Sequence, residues 1–373
     1  MELSALPWEE RLNLGLGRLF EQHGYSKYRM GKFEEYGLYM ENKNFLKSAG
    51  IITFTDMDGR LMALKPDVTL SIVKNAQPGA VEKLYYMENV YRLAREGHEY
   101  REIGQMGLEF IGGEDAQCEA EVLLLALKSL EAISESYVLD VSHMGLVSAL
   151  LEQFQVPESH QEPMLSALSQ KNRHELRQRA LAAGLTQQNA DRLCGLTALP
   201  VDFPQALEKA RAAFQSPATA PLFDRLAELY AALAQLGYGS HLRLDFSIVN
   251  DLTYYNGLIF QGYVKEVPRA VLAGGRYDNL LHRFGKPQGA IGFALYLDEM
   301  GRAFHEHPPY DVDTLLMYET TQPVTLVLKA VEQLAAQGGR VRAACEKPEG
   351  LRWRRAVRIA DNGELIPVKE EAE

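Results

Sequence analysis

Residues 84–112, LYYMENVYRLAREGHEYREIGQMGLEFIG, decide the fold. They read as two β-strands joined by a polar loop. On the first strand Tyr85, Met87 and Tyr91 share one side, and Tyr86, Glu88 and Arg92 the other. The loop, 93–99, holds Arg95, Gly97 and His98. On the second strand Met106, Leu108 and Phe110 alternate with Gln105, Gly107 and Glu109, so a period of two separates an apolar face from a polar one. A glycine inside a strand costs stability and marks a place where a ligand or a backbone comes close. Two readings of the polar face stand: the solvated side of an antiparallel sheet, or the wall of a binding site. A segment of the same character near residue 255 favours the second.

Working outward, residues 8–23 carry Leu12, Leu14, Leu16, Leu19 and Phe20 and predict an amphipathic helix stopped by Gly24. Residues 25–39 read as strand, loop and helix. Residues 51–55 and 61–64 flank Asp58-Gly59 and predict a hairpin. Next, Lys65-Pro66-Asp67-Val68-Thr69 leads into a helix over 70–75. Asp67 and Thr69 either cap that helix or point into a pocket. Downstream, 116–134 predicts an apolar helix, 137–141 a buried strand and 145–154 another helix.

From about 151 to 238 the chain turns rich in Ala, Leu, Gln, Glu and Arg with helical periodicity, as an inserted helical region would. Sheet patterning returns at 241–249 and 253–264, the latter with Asn256-Gly257 embedded. Ala273-Gly-Gly-Arg-Tyr-Asp278 reads as a glycine-rich turn into a helix, and 289–294 as the approach to a helix over 295–304. After Pro308-Pro309 come strand (312–317), helix (324–337) and strand (339–344), then a mostly polar end from 363. The expected organisation is a core in two parts, 1–150 and 239–306, interrupted by the helical insertion 151–238 and followed by a small α/β tail, 307–373.

At 373 residues with 46% hydrophobic content, the chain is long enough for two or three domains and an extensive core. No apolar run reaches the ~18 residues that span a membrane, and the start MELSALPWEE lacks a signal pattern. A cytoplasmic protein is expected. Cys118, Cys194 and Cys345 form no paired motif, which argues against a structural zinc site. The net charge of −11 disfavours a broad nucleic-acid surface. There is no P-loop, GxSxG or HExxH pattern, and the histidines lie in separate segments, so neither metal nor cofactor is expected. What remains is a sheet face gathering Gln105, Glu109, Asn256, Tyr254 or Tyr255, and Tyr277. Carboxylates and phenols suit an amine-bearing ligand. Arg92 would take that ligand's carboxylate, and an amino acid satisfies both demands.

These residues resemble a known family. Tyr91-Arg92, the loop and Gln105-Met-Gly-Leu-Glu109 resemble motif 2 of class II aminoacyl-tRNA synthetases, histidyl-tRNA synthetase in particular. Met62-Ala-Leu-Lys-Pro-Asp-Val-Thr69 resembles that family's LRPEGT segment, and Leu252-Thr-Tyr-Tyr-Asn-Gly257 its histidine-specific LDYYNG segment. Residues 273–278 resemble the AGGRYD turn and 289–300 motif 3. The resemblance runs from about 8 to 304. It implies an α+β fold: a mixed, mainly antiparallel sheet flanked by helices, a helical insertion and a small α/β tail. It also implies histidine-binding roles for Asp67, Thr69, Arg92, Gln105, Glu109, Tyr254, Tyr255 and Tyr277.

The departures fall where the family handles ATP. Glu299 stands at the arginine of the GLER pattern, Asn250 at the arginine before LDYY, Ala94 at the motif 2 glutamate, and Gly31 at the motif 1 proline. Synthetases use arginines to steady phosphate charge in the transition state. A kept histidine pocket beside lost nucleotide contacts is similar to the regulatory subunits of ATP phosphoribosyltransferase, paralogues of histidyl-tRNA synthetase that serve the first step of histidine biosynthesis. That resemblance implies a non-catalytic chain. Its core dimerises with itself, joins the short-form catalytic subunit in a hetero-octamer and carries feedback by L-histidine. It implies no nucleic-acid or membrane partner. The tail then reads as an anticodon-binding-like domain that stops after its second strand. The alternative is an active histidyl-tRNA synthetase.

Overall fold

The computed structural model describes residues 6–42, 50–93, 99–113, 115–249, 255–301, 303–304 and 309–368. The chain divides into two compact units, Met1–Phe304 and His305–Glu373. An eight-stranded sheet organises the first. Its strands in chain order are β1 (Ser26–Lys27), β5 (Glu82–Leu93), β6 (Tyr100–Ile111), β7 (Tyr137–His143), β8 (Leu242–Leu244), β9 (Leu258–Val264), β10 (Leu272–Arg276) and β11 (Ala290–Tyr296). The spatial order is β1-β5-β6-β11-β10-β9-β7-β8. All pairs are antiparallel except β1 with β5 and β7 with β8. A separate three-stranded sheet holds β2 (Phe33–Glu35), β3 (Thr53–Thr55) and β4 (Leu61–Leu64).

The strand pair read from 84–112 forms as expected, twelve residues against twelve, with Tyr85 opposite Leu108 and Leu84 opposite Glu109. Met106, Leu108 and Phe110 enter the main core, where α1 (Trp8–Gln22) and α4 (Ala116–Ile133) cover the sheet. Phe20 and Leu16 of α1 are fully buried there. Gly24, at φ +83°, ends α1, and the Tyr25 N–H returns to the Phe20 carbonyl. Asp115 starts α4 by accepting from the Cys118 N–H at 3.0 Å. The helices α5 (Met144–Gln153), α6 (Glu158–Ser169), α7 (Arg173–Ala182), α8 (Gln187–Cys194), α9 (Phe203–Phe214) and α10 (Ala220–Gln235) contribute to that same core. No helix among the described residues is long and apolar enough to cross a membrane.

The opposite face is also covered. Here α2 (Tyr36–Glu41), α3 (Thr69–Asn75) and α11 (Asp278–Arg283) bring Tyr39, Leu70, Ile72, Val73 and Leu280 against Tyr86, Ile111 and Tyr277. The solvated reading of the polar face is therefore wrong: Gln105 is 4% exposed and Glu109 2%.

Four local expectations change. Residues 273–276 are not a turn but most of β10, in the middle of the sheet. The helix expected from 295 starts later, because 290–296 form β11 and α12 is Leu297–Gly301. Glycines signal turns, but here they answer crowding: a Cβ on Gly274 would strike the Gly292 carbonyl and the Phe293 side chain. The strand read over 241–249 ends at Leu244, where Asp245 turns the chain by accepting from the Ser247 N–H at 2.9 Å. The strand read from 253 begins at Leu258, and 250–254 lie outside the described residues.

In the second unit, β12 (Val312–Met317), α13 (Val324–Ala335) and β13 (Val341–Ala344) form as read. The unit does not stop there. β14 (Trp353–Ile359) and β15 (Leu365–Pro367) complete a sheet of order β13-β12-β14-β15. The arginines of WRRAVRI mask a strand whose Val357 and Ile359 reach the core under α13.

Candidate functional site

A cavity of about 80 Å³ opens on the α3 side of the large sheet, room for several water-sized groups. Asp67, Thr69, Arg92, Gln105, Glu109, Tyr255 and Tyr277 all line it. Tyr254, expected with them, lies outside the described residues, as do Ala94 and Asn250. Asn256 is elsewhere: its amide donates to Asp278 at 3.2 Å, and its carbonyl accepts from the Asp278 N–H at 3.2 Å. It braces the start of α11.

The register of the strands builds the cavity. On β11, Gly292 faces Glu109, Ala294 faces Gly107 and Tyr296 faces Gln105. On β10, Gly275 faces Gly292 and Ala273 faces Ala294. Side chains two apart share a face, so small residues form the floor and Glu109 stands in it. Gly292 makes room for that carboxyl, since a Cβ there would overlap the Glu109 Oε2 and the Leu108 carbonyl. Gly107, the suspicious glycine of the strand, does the same for Tyr86, whose Cζ would lie 2.7 Å from an added Cβ.

Glu109 is held from two elements. Thr69, at the start of α3, donates its hydroxyl to Oε1 at 2.6 Å, and Tyr277, at the end of β10, donates to Oε2. Burial pushes the Glu109 carboxyl up to about 8, although both hydroxyls favour the charged form; nearby Asp67 pushes it further up. At neutral pH the empty site therefore holds Glu109 mostly protonated. The Tyr86 phenol, buried beside it, is also raised by burial.

Arg92 lies at the other end of the cavity. Its Nε donates to the Pro66 carbonyl at 2.6 Å, and its guanidinium stands 3.6 Å from Asp67. Asp67 serves both of its sequence readings, because its other oxygen accepts from the Leu70 N–H at 2.9 Å and so starts α3. The site thus offers a buried acid at one end, an arginine and a half-buried acid at the other, and Gln105 between them. Sequence reading missed Tyr86 and Tyr296 as lining residues. The alternation Gly292, Ala294, Tyr296 was the available signal.

Glu299, the residue at the arginine of the family pattern, pairs with Arg269 at 3.5 Å. On the back of the sheet Arg276 bonds Asp278 at 2.9 Å and Glu119 at 3.4 Å, with Arg225 of α10 3.8 Å from Glu119.

A family described as histidyl-tRNA synthetase matches residues 7–300. An ATP phosphoribosyltransferase regulatory subunit from Bacillus thuringiensis (strain Al Hakam) is 26% identical over 321 residues, covering 83% of this chain and 76% of the relative. A crystal structure from Bacillus halodurans, described as an ATP phosphoribosyltransferase regulatory subunit/histidyl-tRNA synthetase, superposes with a TM-score of 0.76. It is 25% identical and covers 90% of this chain and 88% of that one. The ATP phosphoribosyl transferase (HisG:HisZ) complex from Thermotoga maritima contains a chain with the same fold, at a TM-score of 0.62 and 19% identity, covering 78% of this chain and 97% of that one.

Proposed function

We infer the function of this chain from its membership: it belongs to the histidyl-tRNA synthetase family. Within that family we read it as the regulatory subunit of ATP phosphoribosyltransferase, as its relatives are named. It has no catalysis of its own in this reading. It binds L-histidine, supports the activity of a short-form catalytic subunit in a hetero-octamer, and passes histidine's presence to that partner. Its core also pairs with a second copy, and the complex is cytoplasmic.

The observation that carries the ligand is Glu109. Among the described residues its hydrogen-bond partners are the hydroxyls of Thr69 and Tyr277. A buried carboxyl is costly without a cation or an N–H donor. An imidazole entering the cavity supplies that donor. Asp67 and Gln105 then suit the ammonium group, and Arg92 the carboxylate. Feedback follows if histidine binds one state of the complex better than another, since equal affinity shifts nothing.

The departures at Glu299, Ala94 and Asn250 favour this reading over an active synthetase. Two measurements separate them. A synthetase supports histidine-dependent pyrophosphate–ATP exchange; this chain is expected to show none. Co-purification with the short-form catalytic subunit should restore phosphoribosyl transfer, and histidine should then suppress it. Exchange at about 1 per second or faster, or a catalytic subunit indifferent to this chain, would overturn the reading.

A further inference from the structure

The floor of the cavity changes character at one residue. From the Glu109 end, β11 presents Gly292, then Ala294, then Tyr296, while β10 beside it presents Gly275 and Ala273. A ligand lying along this floor meets hydrogens and methyl groups until it reaches a phenol ring. That ring lies toward Arg92: in the strand register the row Glu88–Gln105–Tyr296 stands between the row of Glu109 and Arg92, and both side chains line the cavity. Its backbone is fixed. The Tyr296 N–H donates to the Val271 carbonyl at 2.9 Å, and across the strand pair Tyr296 faces Gln105, itself buried. Arg92 is fixed as well, by Pro66 and Asp67.

We propose that Tyr296 is the length gauge of this site: it closes the Arg92 end, so that a free α-amino acid fits and one extended through its carboxyl group does not. This rests on the amino-acid reading above, with the carboxylate directed at Arg92. An ester, amide or acyl-phosphate extension adds atoms beyond that carboxylate, where the ring already stands. Two occupants cannot share that volume in a packed site. The gauge would thus exclude activated or conjugated forms of the amino acid and leave the free form as the effector. Specificity of this kind adds a clash with the wrong ligand to the ion pair with Arg92 that only a free carboxylate makes.

The test is calorimetry on the full chain with L-histidine, L-histidine methyl ester and a non-hydrolysable sulfamoyl analogue of histidyl adenylate. Wild type should prefer histidine over the ester by about 100-fold, within what one pocket clash supplies. Tyr296→Ala should bring that preference below about 10-fold and admit the adenylate analogue. Tyr296→Phe, which keeps the ring, should preserve the preference ratio. Tyr296→Val provides a second shortened side chain if the alanine variant does not fold. Equal binding of ester and histidine by wild type would overturn the gauge, as would an unchanged preference in a folded shortened variant. Loss of histidine binding in every protein, wild type included, would instead remove the amino-acid reading, and the gauge with it.

Discussion

Replacing Glu109 by glutamine should make the empty protein more stable and the ligand weaker, and the first effect should depend on pH. Burial raises this carboxyl from 4.5 to about 8. A group whose folded value lies above its unfolded one lends stability that is complete below about pH 4.5 and is lost as pH rises through about 8. At 1.36 kcal/mol per pH unit, the loss between pH 5 and pH 9 comes to about 4 kcal/mol. Glutamine does not titrate and escapes it. Glutamine also has one oxygen to offer where the carboxyl group, protonated or not, turns one to Thr69 and the other to Tyr277, which costs about 1 kcal/mol at every pH. The two proteins should therefore melt within a degree or two of each other at pH 5. At pH 9 the variant should melt about 6 °C higher, taking the net gain of about 3 kcal/mol at about 2 °C per kcal/mol for a unit of this size.

Scanning calorimetry without ligand, in matched buffers across that range, reads this directly. A difference that does not change with pH would refute the reasoning, and so would a wild type that stays the more stable at pH 9. Histidine titrated into both proteins supplies the other half. Losing a hydrogen bond to a charged acceptor costs about 1.5–3 kcal/mol, so affinity should fall by about 10- to 150-fold. A side chain that weakens the fold and strengthens a ligand is kept for the ligand.

Gly292→Ala should abolish histidine binding and lower stability by about 1–3 kcal/mol, since its methyl group overlaps the Glu109 carboxyl and the Leu108 carbonyl; calorimetry and a thermal melt read the two effects. Arg276→Met should cost about 3–5 kcal/mol, because it leaves Glu119 buried with only Arg225 at 3.8 Å and removes the 2.9 Å bond to Asp278. Urea unfolding measures that loss.

The strand pair at 84–112 was legible because its side chains alternate cleanly and the two strands lie next to each other in the chain. The centre of the sheet was not. In β10 and β11 the residues that matter are Gly274, Gly275 and Gly292, which carry no pattern of their own. They are small because Phe293, Tyr255 and Glu109 need the space, and those neighbours are distant in sequence. The site shares this split. Periodicity exposed Gln105 and Glu109. Nothing local could join Glu109 to Thr69 and Tyr277, forty and 168 residues from it; the family resemblance did that. Tyr296 escaped because it ends a strand that was read as the start of a helix.

Two buried glutamates, one on each side of the sheet, favour reading the cavity as a binding site over a flaw in packing. Glu119 is 5% exposed, and burial raises its carboxyl, but Arg276 and Arg225 both pull it back toward the charged form. It has cations from the chain itself, placed by β10 and α10, and its task is to tie the sheet to the helices. Glu109 is buried at least as deeply, and the chain supplies it with two neutral hydroxyls and a neighbouring acid that makes matters worse. The lining arginine, Arg92, stands at the other end of the cavity beside Asp67 and the Pro66 carbonyl. A fold that places two arginines around Glu119 is able to neutralise a buried acid. Glu109 lacks such an arrangement among the described residues and stands over a glycine floor that keeps a cavity open beside it, which supports the proposal that a ligand supplies its partner.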